Sequence, residues 1–492
     1  MAGTRAGLLE ELEKWAKMDA DFIDYSIYIL SGTAGTGKST IAYEVARRLE
    51  EENLLGASFF FVRGAEKLST TRFVLPTIAV QLAKSQPDIY QYIVEATRTY
   101  LRHGTRQQLE FQLKDLLVEP LKRLPREHSP LVIIIDAVDE CTESAQDEVA
   151  HLLLLLMKNI RLLKPFPLRI LLTTRPEIHI ETALSSYEFH DITRPFKLQD
   201  IPRDAVNADI SQYLEDGFIH FKFKDQLALK RPNAVAELTQ RAEGLFIYAS
   251  TARQFIFRNT EDPDEAAHRI ERLVSETETV VHTVTGRLDK LYLTILDHAL
   301  PESLLERPNF TTWTQDVLGS IAVLQDQVTP RTLGSLIDIP FNGILNIISR
   351  LASVILVPDN PDVEIRPIHA SFPQFLVDRN RCTNPSFFIE PTSHHSRFAL
   401  VCLTILNKPH ILHEKIQDPI PPHVQYACAH WATHLASSQP TPALFALLRD
   451  FLATKLLLWF EVLGVMKRLG VAAPGLFRVR AWSQVSGAID VG

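Results

Sequence analysis

The chain has 492 residues, 46% of them hydrophobic and 22% charged, with a formal net charge of −8. That length calls for roughly three domains with ample buried core, and the acidic balance offers no global basic field to nucleic acid or an anionic membrane surface. Four scattered cysteines, Cys141, Cys382, Cys402 and Cys428, with no CxxC pair, exclude a disulfide framework and suit a reducing, cytoplasmic compartment.

The first 24 or so residues read as one amphipathic helix on Leu8, Leu9, Leu12, Trp15 and Ala16. Its acidic Glu10, Glu11 and Glu13 exclude a signal peptide. A β-prone run, Tyr25 to Leu30, then leads into Gly32-Thr33-Ala34-Gly35-Thr36-Gly37-Lys38-Ser39-Thr40. A helix with Ile41, Ala42, Val45 and Leu49 on one face follows. Ala57 to Val62 reads as a second strand, with helices near residues 73–83, 89–99 and 109–124. The third strand, Leu131 to Asp136, is an unbroken apolar run of the kind buried on both faces. Gln146 to Leu163 reads as a helix, and Leu168 to Arg175 as a fourth strand that Pro176 ends. Strand-helix alternation of this kind predicts a parallel α/β sheet.

From about residue 200 the pattern turns helical, with boundaries placed near Asp200-Ile201-Pro202 and between Pro301 and Pro308. Residues 310–380 combine three helices with two short strands, Val354 to Val357 and Val363 to Ile368, joined by turn chemistry at Pro358-Asp359-Asn360-Pro361-Asp362. That arrangement looks like a winged helix. The expected division is a P-loop NTPase domain over 1–200, a helical domain over 201–303, a winged-helix-like domain over 304–380, a helical extension over 381–465 and a poorly defined tail over 466–492. The apolar stretch from Ala443 to Met466 contains Arg449, Asp450, Lys455 and Glu461, so no membrane span is expected. No internal repeat is visible.

Gly32 followed by Gly37-Lys38-Ser39, four residues on, is the phosphate-loop pattern. Its glycines let backbone N–H groups curl around phosphate oxygens, Lys38 reaches the β and γ phosphates, and the Ser39 hydroxyl ligates Mg²⁺. Asp136, at the end of the third strand, is the matching Mg²⁺ carboxylate. Asp139 or Glu140 orients or deprotonates the attacking water, with Glu140 favoured. Arg175, at the end of the fourth strand, is placed to face the γ-phosphate, because ligands gather at the carboxyl ends of parallel strands.

Together with Ala137 after Asp136, the pair Asp139-Glu140 and Thr174-Arg175-Pro176, the loop resembles the NACHT domain, closest to the fungal NOD-like proteins among the STAND signal-transducing NTPases. Further text agrees: Gly3-Thr4-Arg5, Ser58 to Phe61 with Arg63-Gly64, Glu243 to Phe246, and Tyr426 to Trp431. The resemblance implies a switch in fungal signalling or self/non-self recognition that closes over ADP, opens with ATP toward self-association, and hydrolyses slowly. It also implies that His369, in Ile368-His369-Ala370-Ser371-Phe372, contacts the β-phosphate of the closed state. Related receptors often carry a proline near the base, where this chain has Gly244-Leu245-Phe246. They also usually join an effector and a repeat sensor to the switch, and neither is read here, which leaves a non-hydrolysing binding module or a truncated receptor as the alternative.

Three rival readings are weaker. Cys402, Cys428, His430 and His434 invite a zinc site, but Trp431, Ala432 and Leu435 among them look like helix packing. The winged-helix segment could suggest DNA, yet its candidate recognition helix, Phe341 to Arg350, is apolar with one arginine, so no nucleic-acid partner is expected. Asn407-Lys408-Pro409-His410 lacks the final aspartate that specifies guanine, which favours ATP over GTP.

Overall fold

The computed structural model describes residues 4–65, 67–102, 108–125, 128–141, 146–163, 166–184, 189–275, 286–357, 360–408 and 420–485. Gly3, Pro358, Asp359, Pro409, His410 and the last seven residues, on which parts of the sequence reading fall, lie outside them. The chain forms two compact units, Met1–Glu276 and Thr277–Gly492.

The first unit is built on a five-stranded parallel sheet in the order β2-β3-β4-β1-β5. The strands are β1 (Ile27–Ser31), β2 (Leu55–Phe60), β3 (Leu131–Asp136), β4 (Leu168–Thr174) and β5 (Thr193–Lys197). Side chains alternate across each strand, so each strand feeds two cores. One face carries Ile27, Ile29, Phe59, Ile133, Ile135, Ile170 and Leu172, packed against helices that include α3 (Val74–Ser85) and α4 (Pro87–Arg102). The other carries Tyr28, Leu30, Val132, Ile134 and Leu171 against α1 (Ala6–Ala16) and α2 (Lys38–Glu51). Every residue of β3 and β4 is buried, which accounts for their near-continuous apolar text.

Four differences from the sequence reading have physical causes. β5, Thr-Arg-Pro-Phe-Lys, is unforeseen because its polar residues and Pro195 look unlike a strand; as an edge strand it tolerates both. The single helix expected over 109–124 is interrupted by a π-helical stretch, Lys114–Val118. The chain on both sides of Asp200-Ile201-Pro202 belongs to one unit: helices Arg203–Ile219, Ala234–Ala242 and Phe246–Phe257 pack with one another and join the sheet's unit. The expected loose segment from residue 471 contains a helix, Ala472–Val485, whose weak period hides real anchors. In it Trp482 is buried, donates from Nε1 to Ser438 O at 3.0 Å, and packs on Phe445.

The second unit is mostly helical. The Pro330–Ile337 helix starts with Thr329 accepting from the Thr332 amide and proline at the first position, a pre-organised start. Helices Phe310–Val323 and Phe341–Arg350 flank it, and a two-residue antiparallel pair, β6 (Ile355–Leu356) with β7 (Arg366–Pro367), follows. The rest packs around Trp431, which meets Phe451 at 4.8 Å and Trp459 at 5.6 Å. Trp459 Nε1 donates to Cys428 O at 2.8 Å. No described helix is long and apolar enough to cross a membrane.

Candidate functional site

The loop leaves β1 at its carboxyl end, where Gly32 N–H donates to Thr174 O at 3.2 Å. Gly35 and Gly37 take φ of +81° and +96°, the left-handed region in which an L side chain is strained. Gly37 then begins α2, accepting from Ile41 N–H at 2.9 Å, so the helix opens directly behind the loop. Lys38 is buried, and its ammonium donates to Gly32 O at 2.7 Å and Thr33 O at 3.0 Å. Burial pulls its pKa down, with Asp139 opposing. Ala34 and Thr40 complete the loop, and the Thr36 hydroxyl donates to Thr33 O at 2.9 Å.

β3 and β4 carry the acids and the arginine. Asp136 is 2% exposed; burial pushes its carboxyl up against the opposing hydrogen bonds of Thr173 and Ser39 and the charge of Lys38. The Thr173 hydroxyl donates to Asp136 Oδ1 and accepts from the Ala137 amide at 2.9 Å. Ala137 sits at φ +56°, a strained position that a small residue tolerates best. The turn then brings Asp139 to Arg175: Asp139 Oδ1 accepts the Arg175 amide and Oδ2 its Nε, both at 2.9 Å. Arg175 Nη2 stands 3.8 Å from Glu140 Oε1, and Glu140 Oε2 accepts the Arg63 amide at 3.2 Å. Burial raises the Glu140 carboxyl, and the Arg63 amide bond opposes it most.

Lys38, Ser39, Asp136, Asp139, Glu140 and Arg175 are therefore brought together at the carboxyl ends of β1, β3 and β4. Arg175 differs in its engagement: its guanidinium is tied to Asp139. Ser39 and Asp136, a hydroxyl and a buried carboxylate in hydrogen-bonding reach, form the hard oxygen pair that suits Mg²⁺.

Several participants escape the sequence reading. Ile247, second residue of the Phe246–Phe257 helix, donates its amide to Gly35 O at 3.1 Å. Its side chain lies so close that a Cβ on Gly35 would stand 2.2 Å from Ile247 Cγ2. Beside it, Arg5 is 7% exposed, stacks on Phe246 at 5.1 Å and approaches Asp209 at 3.8 Å, with Nε and Nη1 making no hydrogen bond. Glu243 to Phe246 and Thr4-Arg5 are noticed as text, but only the fold shows that they meet.

His369 belongs to the second unit. Its Nδ1 accepts the Ser371 amide at 3.1 Å and lies 2.7 Å from the Ser371 hydroxyl, so the neutral ring carries its proton on Nε2. The zinc residues are occupied otherwise: His430 Nε2 meets Asp326 Oδ2 at 2.7 Å, and His434 lies between Tyr426 OH at 2.7 Å and His395 Nδ1 at 2.9 Å. No group of three or more His, Cys, Asp or Glu side chains placed to hold a metal ion is found among the described residues.

A family model described as nephrocystin 3, N-terminal, matches residues 3–175. No curated protein matches the chain. Among solved structures, a Walker-type ATPase of Pyrococcus abyssi is 14% identical, with 75% of this chain and 96% of that one covered and a TM-score of 0.35. The Aeropyrum pernix ORC1 protein in complex with DNA is 15% identical, with 78% and 93% covered and a TM-score of 0.34. Drosophila ORC bound to DNA is 14% identical, with 75% and 96% covered and a TM-score of 0.31. These are distant likenesses, and the DNA belongs to those proteins.

Proposed function

We propose that the chain is a nucleotide-dependent switch of the NACHT and STAND type that binds ATP or ADP with Mg²⁺ and hydrolyses ATP slowly, in a signalling role. One observation carries this most strongly: the Phe246–Phe257 helix grips the phosphate loop through Ile247 and Gly35, so a phosphate that reshapes the loop alters what the helical segment holds. In this reading the amides from Gly32 to Thr40 and the Lys38 ammonium hold the phosphates, once Lys38 leaves the carbonyls of Gly32 and Thr33. Ser39 and Asp136 hold Mg²⁺, which neutralises charge on the phosphates. Glu140 orients the water, because Asp139 is committed to Arg175. Arg175 reports the γ-phosphate when that pair opens, and His369 contacts the β-phosphate of ADP through Nε2. The helical domain over 201–303, held to the loop through Ile247, passes the change on, and the winged-helix-like domain over 304–380 and the helical extension over 381–465 are the moving parts. We assign no nucleic-acid or membrane partner and a cytoplasmic location.

The test is the nucleotide content of purified protein with and without Lys38→Ala, followed by light scattering with ADP against a non-hydrolysable ATP analogue. Nucleotide lost with Lys38 and a mass that changes between the two nucleotides are expected. Equal retention in the variant sinks the nucleotide reading. An unchanged mass, with phosphate release no faster than in Glu140→Gln, favours the non-hydrolysing module instead. The tie between Arg175 and Asp139 is the observation that keeps that second reading in view.

A further inference from the structure

Glu140 is approached by two arginines from different strand ends. Arg175, after β4, spends its Nε and its amide on Asp139 and comes no nearer to Glu140 than 3.8 Å. Arg63, three residues beyond β2, gives its amide to Glu140 Oε2 at 3.2 Å, and its charge acts on the same carboxylate. The turn that presents it is closed by Val62 N–H donating to Leu68 O at 2.9 Å and by Gly64 at φ +79°. The Arg63 side chain is exposed and forms no ion pair among the described residues.

We propose that Arg63 distinguishes a nucleoside triphosphate from a diphosphate by placing its guanidinium on the γ-phosphate. The inference rests on the nucleotide reading above. A water activated by Glu140 sits one hydrogen bond from the carboxylate and attacks phosphorus from about 3–3.5 Å, so the γ-phosphate lies within about 6 Å of Glu140. With the Arg63 amide 3.2 Å from that carboxylate, the phosphate falls within about 9 Å of the Arg63 backbone, a span that an extended arginine and its hydrogen bond cover.

Charge points the same way. Three carboxylates, Asp136, Asp139 and Glu140, face two cations, Lys38 and Arg175, and the second of these is already paired. A γ-phosphate brought beside Glu140 adds further negative charge next to Arg63, whose guanidinium forms no ion pair among the described residues. The planar guanidinium suits phosphate through two parallel hydrogen bonds. The β-phosphate is cradled by the loop after β1, which β3 and β4 separate from β2 in the sheet, so a diphosphate lacks the group that Arg63 meets beside Glu140.

The test is equilibrium binding of fluorescent ADP and a fluorescent non-hydrolysable ATP analogue, with Mg²⁺, to the full chain and to Arg63→Ala, Arg63→Lys and Lys38→Ala. Arg63→Ala is expected to weaken the triphosphate analogue by about tenfold or more, the worth of a hydrogen bond between charged groups. ADP affinity should stay within about twofold, and Arg63→Lys should fall between, keeping the charge and losing the fork. Equal weakening of both nucleotides, or of neither, overturns the proposal. Failure of the underlying reading has a separate signature, in which wild type binds neither nucleotide or Lys38→Ala binds both unchanged; either result also removes the role of Arg63.

Discussion

Thr173 is a single hydroxyl that holds two strands and the Asp136 carboxylate together. It donates to Asp136 Oδ1 and accepts from the strained Ala137, so one atom fixes the direction of the acid and the turn that delivers Asp139 and Glu140. Thr173→Val keeps the shape and deletes both bonds, leaving the Ala137 amide without its partner and the Asp136 carboxylate with Ser39 as its remaining hydrogen-bond donor, in a site where Thr173 itself is fully buried. We expect a loss of about 1–3 kcal/mol in denaturant unfolding and a weaker Mg²⁺ dependence of nucleotide binding, with Thr173→Ser close to wild type. A valine variant with a wild-type midpoint and wild-type Mg²⁺ dependence would show that the hydroxyl is dispensable. Residues named by a backbone pattern, Gly32 through Ser39, and by strand position, Asp136, are legible in the sequence because spacing alone fixes them. Thr173 is not, since its role depends on which strand lies beside β3, and the pairing of Arg175 with Asp139 depends on side-chain directions that spacing does not encode.

At the scale of elements, the helix Phe246–Phe257 and the phosphate loop behave as one joint. Gly35 and Gly37 are both left-handed, but a Cβ at Gly37 meets nothing within 4 Å, whereas at Gly35 it collides with Ile247. Backbone strain is thus common to Gly35→Ala and Gly37→Ala, and only the first also pushes the helix away. Gly35→Ala should lower the thermal midpoint further than Gly37→Ala, and Ile247→Ala should recover part of that difference when combined with Gly35→Ala and none when combined with Gly37→Ala. A double-mutant cycle reads this directly, and simple additivity at Gly35 would mean that the joint carries no coupling. The four apolar strands were legible because burial writes itself into their composition. This joint was not, because its partners are more than 200 residues apart and the text Gly244-Leu245-Phe246 says nothing of what it touches; β5 was hidden for a similar reason, as pairing with β1 rather than apolar content makes it a strand.

The whole molecule has two compact units with separate chemistry, and this yields a test of whether they act together. The first holds the phosphate loop; the second holds a buried histidine chain in which His434, fully buried, contacts Tyr426 and His395. Burial depresses the His434 imidazole far below its usual range, with His395 and His430 adding to it. His395 is lowered by burial and then by His394, and His394 by burial against Asp316. A histidine depressed in the fold is protonated more readily when unfolded. Its stabilising contribution is complete above the ordinary histidine pKa of about 6.5 and is lost progressively as pH falls from there toward the depressed folded value. Nearby Asp326, paired with His430 and Arg468, is lowered as a carboxyl and keeps its charge through this window. Calorimetry should therefore resolve two transitions: lowering the pH from about 7.5 to 5.5 should depress the transition of the second unit, less so in His434→Gln, while MgADP should raise that of the first. MgADP that raises both, with His369→Ala confining the rise to the first, is the outcome expected of a switch closed through His369. A rise confined to the first transition in wild type would leave a nucleotide-binding unit whose occupancy the second unit does not sense.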